Sequence, residues 1–261
     1  MKPVCARSSE KSSATAIVRL FAASLAILVI FSLASTTALA LTPCGTLAGS
    51  ISTWSPVGNG NWSNSGQWLG GVPNSATDSA CIADGSSTVA LDISANIDDL
   101  QLASGNTLNF NGGTSLTVNG TQIINAGAIN VNGGGGYNTY LYLPTGVTLS
   151  GGGTLTLNTP SAGGGNAYLY LQNGSTLDNV NNTIQGEGII YNNGTTVSNH
   201  AGGVINANST GSALINNLTL EYGSVTNAGL MEATNSGTLY LYSTTVNNAG
   251  GNITGDRKSV V

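Results

Sequence analysis

The chain has 261 residues, of which only 7% are charged, with 11 acidic side chains against 6 basic ones and a formal net charge of −5. All the basic residues, Lys2, Arg7, Lys11, Arg19, Arg257 and Lys258, lie at the two ends, so residues 41–255 carry no Lys or Arg. That excludes nucleic-acid binding by neutralised phosphates and a polybasic membrane patch, and it leaves the chain far below the ~25% charge of an ordinary soluble domain.

The first forty residues read as a cleavable signal peptide. A basic lead from Lys2 to Arg19 precedes an uncharged apolar run over 20–33, and Ala38-Leu39-Ala40 fits the small-residue cleavage pattern. A retained membrane anchor is the competing reading, but the apolar run is shorter than the ~20 residues a spanning helix needs. A lipoprotein signal would use Cys44, and Pro43 departs from the small residue such signals place before the cysteine. The mature chain is therefore expected to be secreted or held at the cell surface, without inserting into a membrane. Beyond residue 40 only Cys44 and Cys81 remain. In an oxidising compartment this pair is expected to form a disulfide, with two buried thiols as the alternative. No C-x-x-C is present, so a bridge would be a staple rather than a redox centre.

Residues 41–90 read as an N-terminal cap region that holds all three tryptophans, Trp54, Trp62 and Trp68. Two roles are open for them. They can plug the exposed core of a first repeat, since terminal repeats are atypical, or they can present a sugar-stacking platform and so count as candidate ligand contacts.

From 91 to 255 the pattern is regular. Short runs alternate at period two, as in 107–110 (TLNF), 115–118 (SLTV), 128–131 (AINV), 140–143 and 168–171 (YLYL), 154–157 (TLTL) and 239–242 (LYLY), with Gly and Asn turns between them. Such alternation predicts strands, and no long helical pattern interrupts it. The stretch 138–149 returns at 166–177, an offset of 28, and a Val-x-Asn…Ala-Gly motif recurs with its Ala-Gly pairs starting at 201, 228 and 249. Periods of this size mark solenoid turns. The predicted fold is all-β, a parallel β-solenoid, with asparagine ladders at equivalent corners. An antiparallel sandwich built of hairpin pairs is the competitor.

Two stretches carry a family resemblance. Trp54…Gly58-Asn-Gly-Asn-Trp62…Trp68-Leu-Gly-Gly-Val-Pro73 and Leu149-Ser-Gly-Gly-Gly-Thr-Leu-Thr-Leu157 are similar to the passenger regions of secreted bacterial adhesins and autotransporter-like proteins. The resemblance implies a fold wound as a right-handed β-helix, a passenger used for attachment or aggregation, with no catalytic residues to carry over. Their outer-membrane barrel has no counterpart in the chain. The last six residues, 256–261, resemble the translation of a common sequencing adapter and are expected to be foreign to the gene, with a genuine basic tail as the competing reading.

The expected function is a non-catalytic structural or adhesive surface module, with extracellular glycans or matrix as partners and no cofactor or metal. Tyr140, Tyr142, Tyr168 and Tyr170 are one repeat apart and are the further candidate contacts, unless they only fill the surface. The alternative is a polysaccharide-binding or polysaccharide-degrading β-helix enzyme whose active rungs lie outside the chain. A lyase would need a basic residue, and 41–255 has none. A hydrolase would need converging carboxylates, whereas adjacent Asp98 and Asp99 point to opposite faces of a strand. His200 is the one histidine, so no triad or zinc set is suggested.

Overall fold

Alternation puts every second side chain on one side of a strand, and these strands are too short to bury that side alone. They bury it by coiling. The computed structural model describes residues 44–159, 164–172, 174–208 and 217–256. The expected signal peptide and positions 257–261 of the adapter-like string lie outside the described residues. The chain winds into a parallel β-solenoid of about eight turns, and each full turn contributes one strand to each of three stacks. The first stack runs from Ser50–Trp54 through Asp78–Ile82, Leu100–Leu102, Gln122–Asn125, Val147–Ser150, Thr176–Asn179 and Thr196–Asn199. The second runs from Gly60–Asn61 through Thr88–Leu91, Thr107–Phe110, Ala128–Asn132, Thr154–Asn158, the start of Thr183–Tyr191, Val204–Asn208 and Leu230–Thr234 to Asn252–Gly255. The third holds Ala95–Ile97, Ser115–Val118, Thr139–Leu143, Ala167–Leu171 and the end of Thr183–Tyr191. The long strands Asn217–Asn227 and Thr238–Asn247 turn a corner and serve the third stack first and the first stack after it.

Pairing between strands is parallel throughout, except where Trp68–Leu69 folds back against Ser50–Trp54. A sandwich of hairpins would pair antiparallel neighbours, so the competitor is set aside. Inside, the stacks meet in one continuous aliphatic core that includes Leu100, Leu108, Leu116, Ile129, Leu141, Leu155, Leu169, Ile184, Ile190 and Leu218. Each such side chain contributes ~1.5–3 kcal/mol when fully buried. Stacked turns also demand close backbone approach. Gly105 sits at φ +82, and a Cβ there would collide with the carbonyl oxygen of Gly85 one turn below, so the position suits glycine alone.

One corner carries the expected asparagine ladder. Asn179 donates from Nδ2 to Oδ1 of Asn199 (2.9 Å), Asn199 to Asn227 (2.8 Å) and Asn227 to Asn248 (2.7 Å). The aligned residue is the asparagine and not the Ala-Gly pair. Asn199, Asn227 and Asn248 are 28 and 21 residues apart, while the corners that follow them differ in length. The same amides reach backbone carbonyls at Asn182, Gly203, Leu230 and Asn252. The buried ladder amides are thus paired without charge, while Oδ1 of the neighbouring Asn182 has no partner among the described residues; the pairing matters because an unpaired buried polar group costs ~1–3 kcal/mol.

The tryptophans lie in the first turn and are buried, with Trp62 fully so. Trp54 and Trp62 both meet Trp68 edge-on, at ring-centroid distances of 5.0 and 4.9 Å. Their indole N–H groups donate inward, Trp54 to the carbonyl of Gly58, Trp62 to that of Pro73 and Trp68 to that of Trp62. No ring face is left for a sugar. Trp54, Trp62 and Trp68 are therefore corrected from candidate ligand contacts to core residues, because the apolar interior of the first turn takes them in.

Cys44 and Cys81 form the expected disulfide, with Cα atoms 5.7 Å apart. The bridge fastens a strap, residues 44–48, across the outside of the first stack. Along it the Cys44 N–H donates to Oε1 of Gln101, the Ala48 N–H to Oδ2 of Asp99, and Nε2 of Gln122 to the Thr46 carbonyl.

Candidate functional site

Among the described residues, the third stack builds the one extended aromatic surface. Its strands point Leu141, Leu143, Leu169, Leu171, Ile190, Leu218, Leu220 and Leu239 into the core, so the alternate positions face outward. In register those positions read Tyr140 beside Tyr168, and Tyr142 beside Tyr170 and then Tyr191. Further along, Tyr240 and Tyr242 continue the same columns, with Ile189 and Thr219 between Tyr168 and Tyr240 and Glu221 between Tyr191 and Tyr242. Tyr222 joins from the corner, in left-handed backbone geometry at φ 56. Eight of the nine tyrosines in the chain meet in this way.

The rings form an unbroken series. Tyr140 stacks on Tyr142 (4.8 Å between centroids) and on Tyr168 (4.9 Å), and Tyr170 stacks on Tyr191 (4.7 Å). Tyr142 meets Tyr170 at 5.2 Å and 62°, Tyr191 meets Tyr222 at 5.7 Å and 67°, and Tyr222 meets Tyr242 at 5.2 Å and 80°. Tyr240 lies 6.0 Å from Tyr242. These are the offset and edge-on separations at which aromatic pairs attract. Asn138 and Asn166 occupy equivalent positions one turn apart and donate to the hydroxyls of Tyr140 and Tyr168.

Stacking leaves the rings half-buried, and the most exposed are Tyr222 and Tyr242 at 42% and 41%. Burial first, and neighbouring phenols second, push Tyr142 and Tyr170 above the ordinary phenol value. A hydrogen bond with Tyr242 does the same for Tyr222. Tyr142, Tyr170 and Tyr222 therefore hold their protons more firmly than a free phenol, and the face is apolar with hydroxyl rims. Such a surface can hold flat, weakly polar rings by stacking and by hydrogen bonds at their edges.

All four sequence-flagged tyrosines thus come together. Tyr191, Tyr222, Tyr240 and Tyr242 were missed. Tyr240 and Tyr242 had a signal in the Leu-Tyr-Leu-Tyr run over 239–242; Tyr222 had none, because it sits where alternation breaks.

The carboxylates do not assemble into a comparable site. Asp99 is buried and accepts from the N–H groups of Ala48, Thr121 and Gln122 and from Nε2 of Gln122, so it anchors the strap. Burial, and then the Asp99 charge, raise the neighbouring Asp98. His200 and Asp178 approach within 3.4 Å on an exposed corner. Among the described residues no three His, Cys, Asp or Glu side chains converge as metal ligands, and no helix is long and apolar enough to cross a membrane. No family model, curated protein or solved structure matches the chain.

Proposed function

We propose that this chain is an exported, non-catalytic β-solenoid, wound right-handed by the rule for parallel crossovers, that attaches to extracellular glycan through its tyrosine face. The observation that carries the reading is the continuous series of eight outward tyrosines, Tyr140, Tyr142, Tyr168, Tyr170, Tyr191, Tyr222, Tyr240 and Tyr242. A solenoid needs only polar residues outside, and much of the rest of its surface uses Asn, Thr and Ser. Collecting the tyrosines on one stack leaves a contiguous aromatic patch, and such patches mark interaction sites. The signal-like first forty residues support export. The adhesin-like motifs at 54–73 and 149–157 support surface display of the autotransporter-like kind.

Sugars without acidic groups suit the face best. Residues 41–255 supply acids and no Lys or Arg, so acidic polymers would meet uncompensated repulsion. The degradative alternative gains nothing from Asp99, whose oxygens are already committed to the strap and the turn that follows it.

Retention on insoluble neutral polysaccharide tests the reading. Replacing Tyr140, Tyr142, Tyr168 and Tyr170 together with Ala is expected to cut retention at least tenfold, since buried aromatic anchors each carry about 1–2 kcal/mol in an interface. These side chains lie outside the core, so circular dichroism should be unaltered. A folded quadruple variant that binds as well as the parent chain would refute the reading.

A further inference from the structure

We propose that Glu221, with Tyr191, Tyr222 and Tyr242 around it, forms a site for an organic ammonium group, and that the glycan on the tyrosine face is an amine-bearing, amino-sugar chain. This deepens the reading of that face as a glycan-binding surface and rests on it.

The outward column reads Tyr142, Tyr170, Tyr191, Glu221, Tyr242. A single carboxylate therefore interrupts an otherwise aromatic row, flanked on both sides by tyrosine one strand spacing away. Among the described residues its side chain accepts no hydrogen bond, and residues 41–255 contain no Lys or Arg to pair with it. Burial pushes its carboxyl upward, the mark of an anion short of a counter-charge. A third ring closes the place. Tyr222 adopts φ 56, a conformation uncommon for a bulky residue, and this sets its ring 5.7 Å from Tyr191 and 5.2 Å from Tyr242, at steep angles to both.

Aromatic faces carry negative quadrupole charge and attract cations within ~6 Å of the ring centre. Three rings and one unpaired carboxylate are the chemistry that recognises an alkylammonium. A neutral sugar stacks on Tyr140, Tyr142, Tyr168 and Tyr170 without gaining anything at Glu221. An acidic sugar is repelled there. The charge of the whole segment points the same way, because an amino-sugar polymer supplies the cations that the chain lacks.

Calorimetric titration of the full chain with glucosamine, N-acetylglucosamine and galacturonic acid oligomers of equal length tests the site. The glucosamine oligomer is expected to bind about tenfold more tightly than the acetylated one, in the range of a partly desolvated cation–π contact, and the acidic oligomer most weakly. Glu221→Gln is expected to bring the glucosamine oligomer down to the affinity of the acetylated one. Equal affinities in the parent chain, or a preference that survives Glu221→Gln, would overturn the ammonium site. If both oligomers bind equally and the Tyr140/Tyr142/Tyr168/Tyr170 alanine variant loses them, only this inference fails. Binding of neither oligomer would sink the glycan-binding reading together with it.

Discussion

Trp62→Ala is expected to lower stability by about 3–5 kcal/mol, the usual cost of emptying a buried aromatic site. Trp62 is fully buried in the first turn. Its loss removes the edge-on contact with Trp68 at 4.9 Å and leaves the Pro73 carbonyl without its indole donor. Neighbours cannot collapse into the hole easily, because Trp54 and Trp68 are fixed by their own N–H bonds to Gly58 and Trp62. In a solenoid each turn rests mainly on its neighbours, so the damage should start at the N-terminal end. Hydrogen exchange should speed first in Ser50–Trp54 and Asp78–Ile82, while strands such as Val204–Asn208 hold. Trp62→Phe should recover most of the packing and leave only the unpaired carbonyl. An unchanged denaturation midpoint for Trp62→Ala would mean that the tryptophans do not close the core.

The second large effect belongs to the Cys44–Cys81 bridge, which joins residues 37 apart. Loop entropy alone assigns such a closure about 4 kcal/mol. Its release also frees the strap. The Ala48 N–H then leaves Asp99, and Gln122 leaves the Thr46 carbonyl, so a buried carboxylate loses one of its donors. The double variant Cys44→Ser/Cys81→Ser, which leaves no lone thiol in the pair, is expected to show a lowered thermal midpoint and strong protease sensitivity near residues 44–50. Thiol-reactive mass labelling of the unreduced parent chain should find neither cysteine free. A variant with parental stability would contradict the strap's role.

The solenoid itself was legible because its signals are local. A period of two, breaks at Gly and Asn, and a return after 28 residues suffice to predict stacked parallel strands, and 107–110, 115–118 and 154–157 fall inside strands of the structure. The asparagine ladder was legible in part. Its recurring element is a four-residue strand ending in Asn, as in Thr176–Asn179 and Thr196–Asn199, but the Ala-Gly pairs that follow drew the alignment off by their variable corners. The strap was not legible. Its partners Asp99, Gln101 and Gln122 are 51 to 76 residues from the strap atoms that they hold, and no periodicity announces a segment that lies across a sheet. The tyrosine face was half legible, since Tyr140 and Tyr168 repeat in an obvious frame. Tyr191 lies at the end of a nine-residue strand that turns a corner, and Tyr222 owes its place to a left-handed residue, which no pattern of alternation foretells. For the tryptophans the choice between plug and platform depended on burial, a property of the whole first turn.

Titration of the chain with a ladder of soluble oligosaccharides of increasing length tests glycan attachment most directly. The tyrosines occupy five successive strands of the third stack, Thr139–Leu143, Ala167–Leu171, Thr183–Tyr191, Asn217–Asn227 and Thr238–Asn247. At ~4.8 Å per step these cover roughly 19 Å along the rod axis. If a glycan lies along this face, affinity should climb with each added sugar until the chain spans that length, then level off, and the Tyr140/Tyr142/Tyr168/Tyr170 alanine variant should flatten the climb. Affinity that does not change with length, or a climb that the alanine variant leaves intact, would show that the tyrosine face is not where the glycan binds.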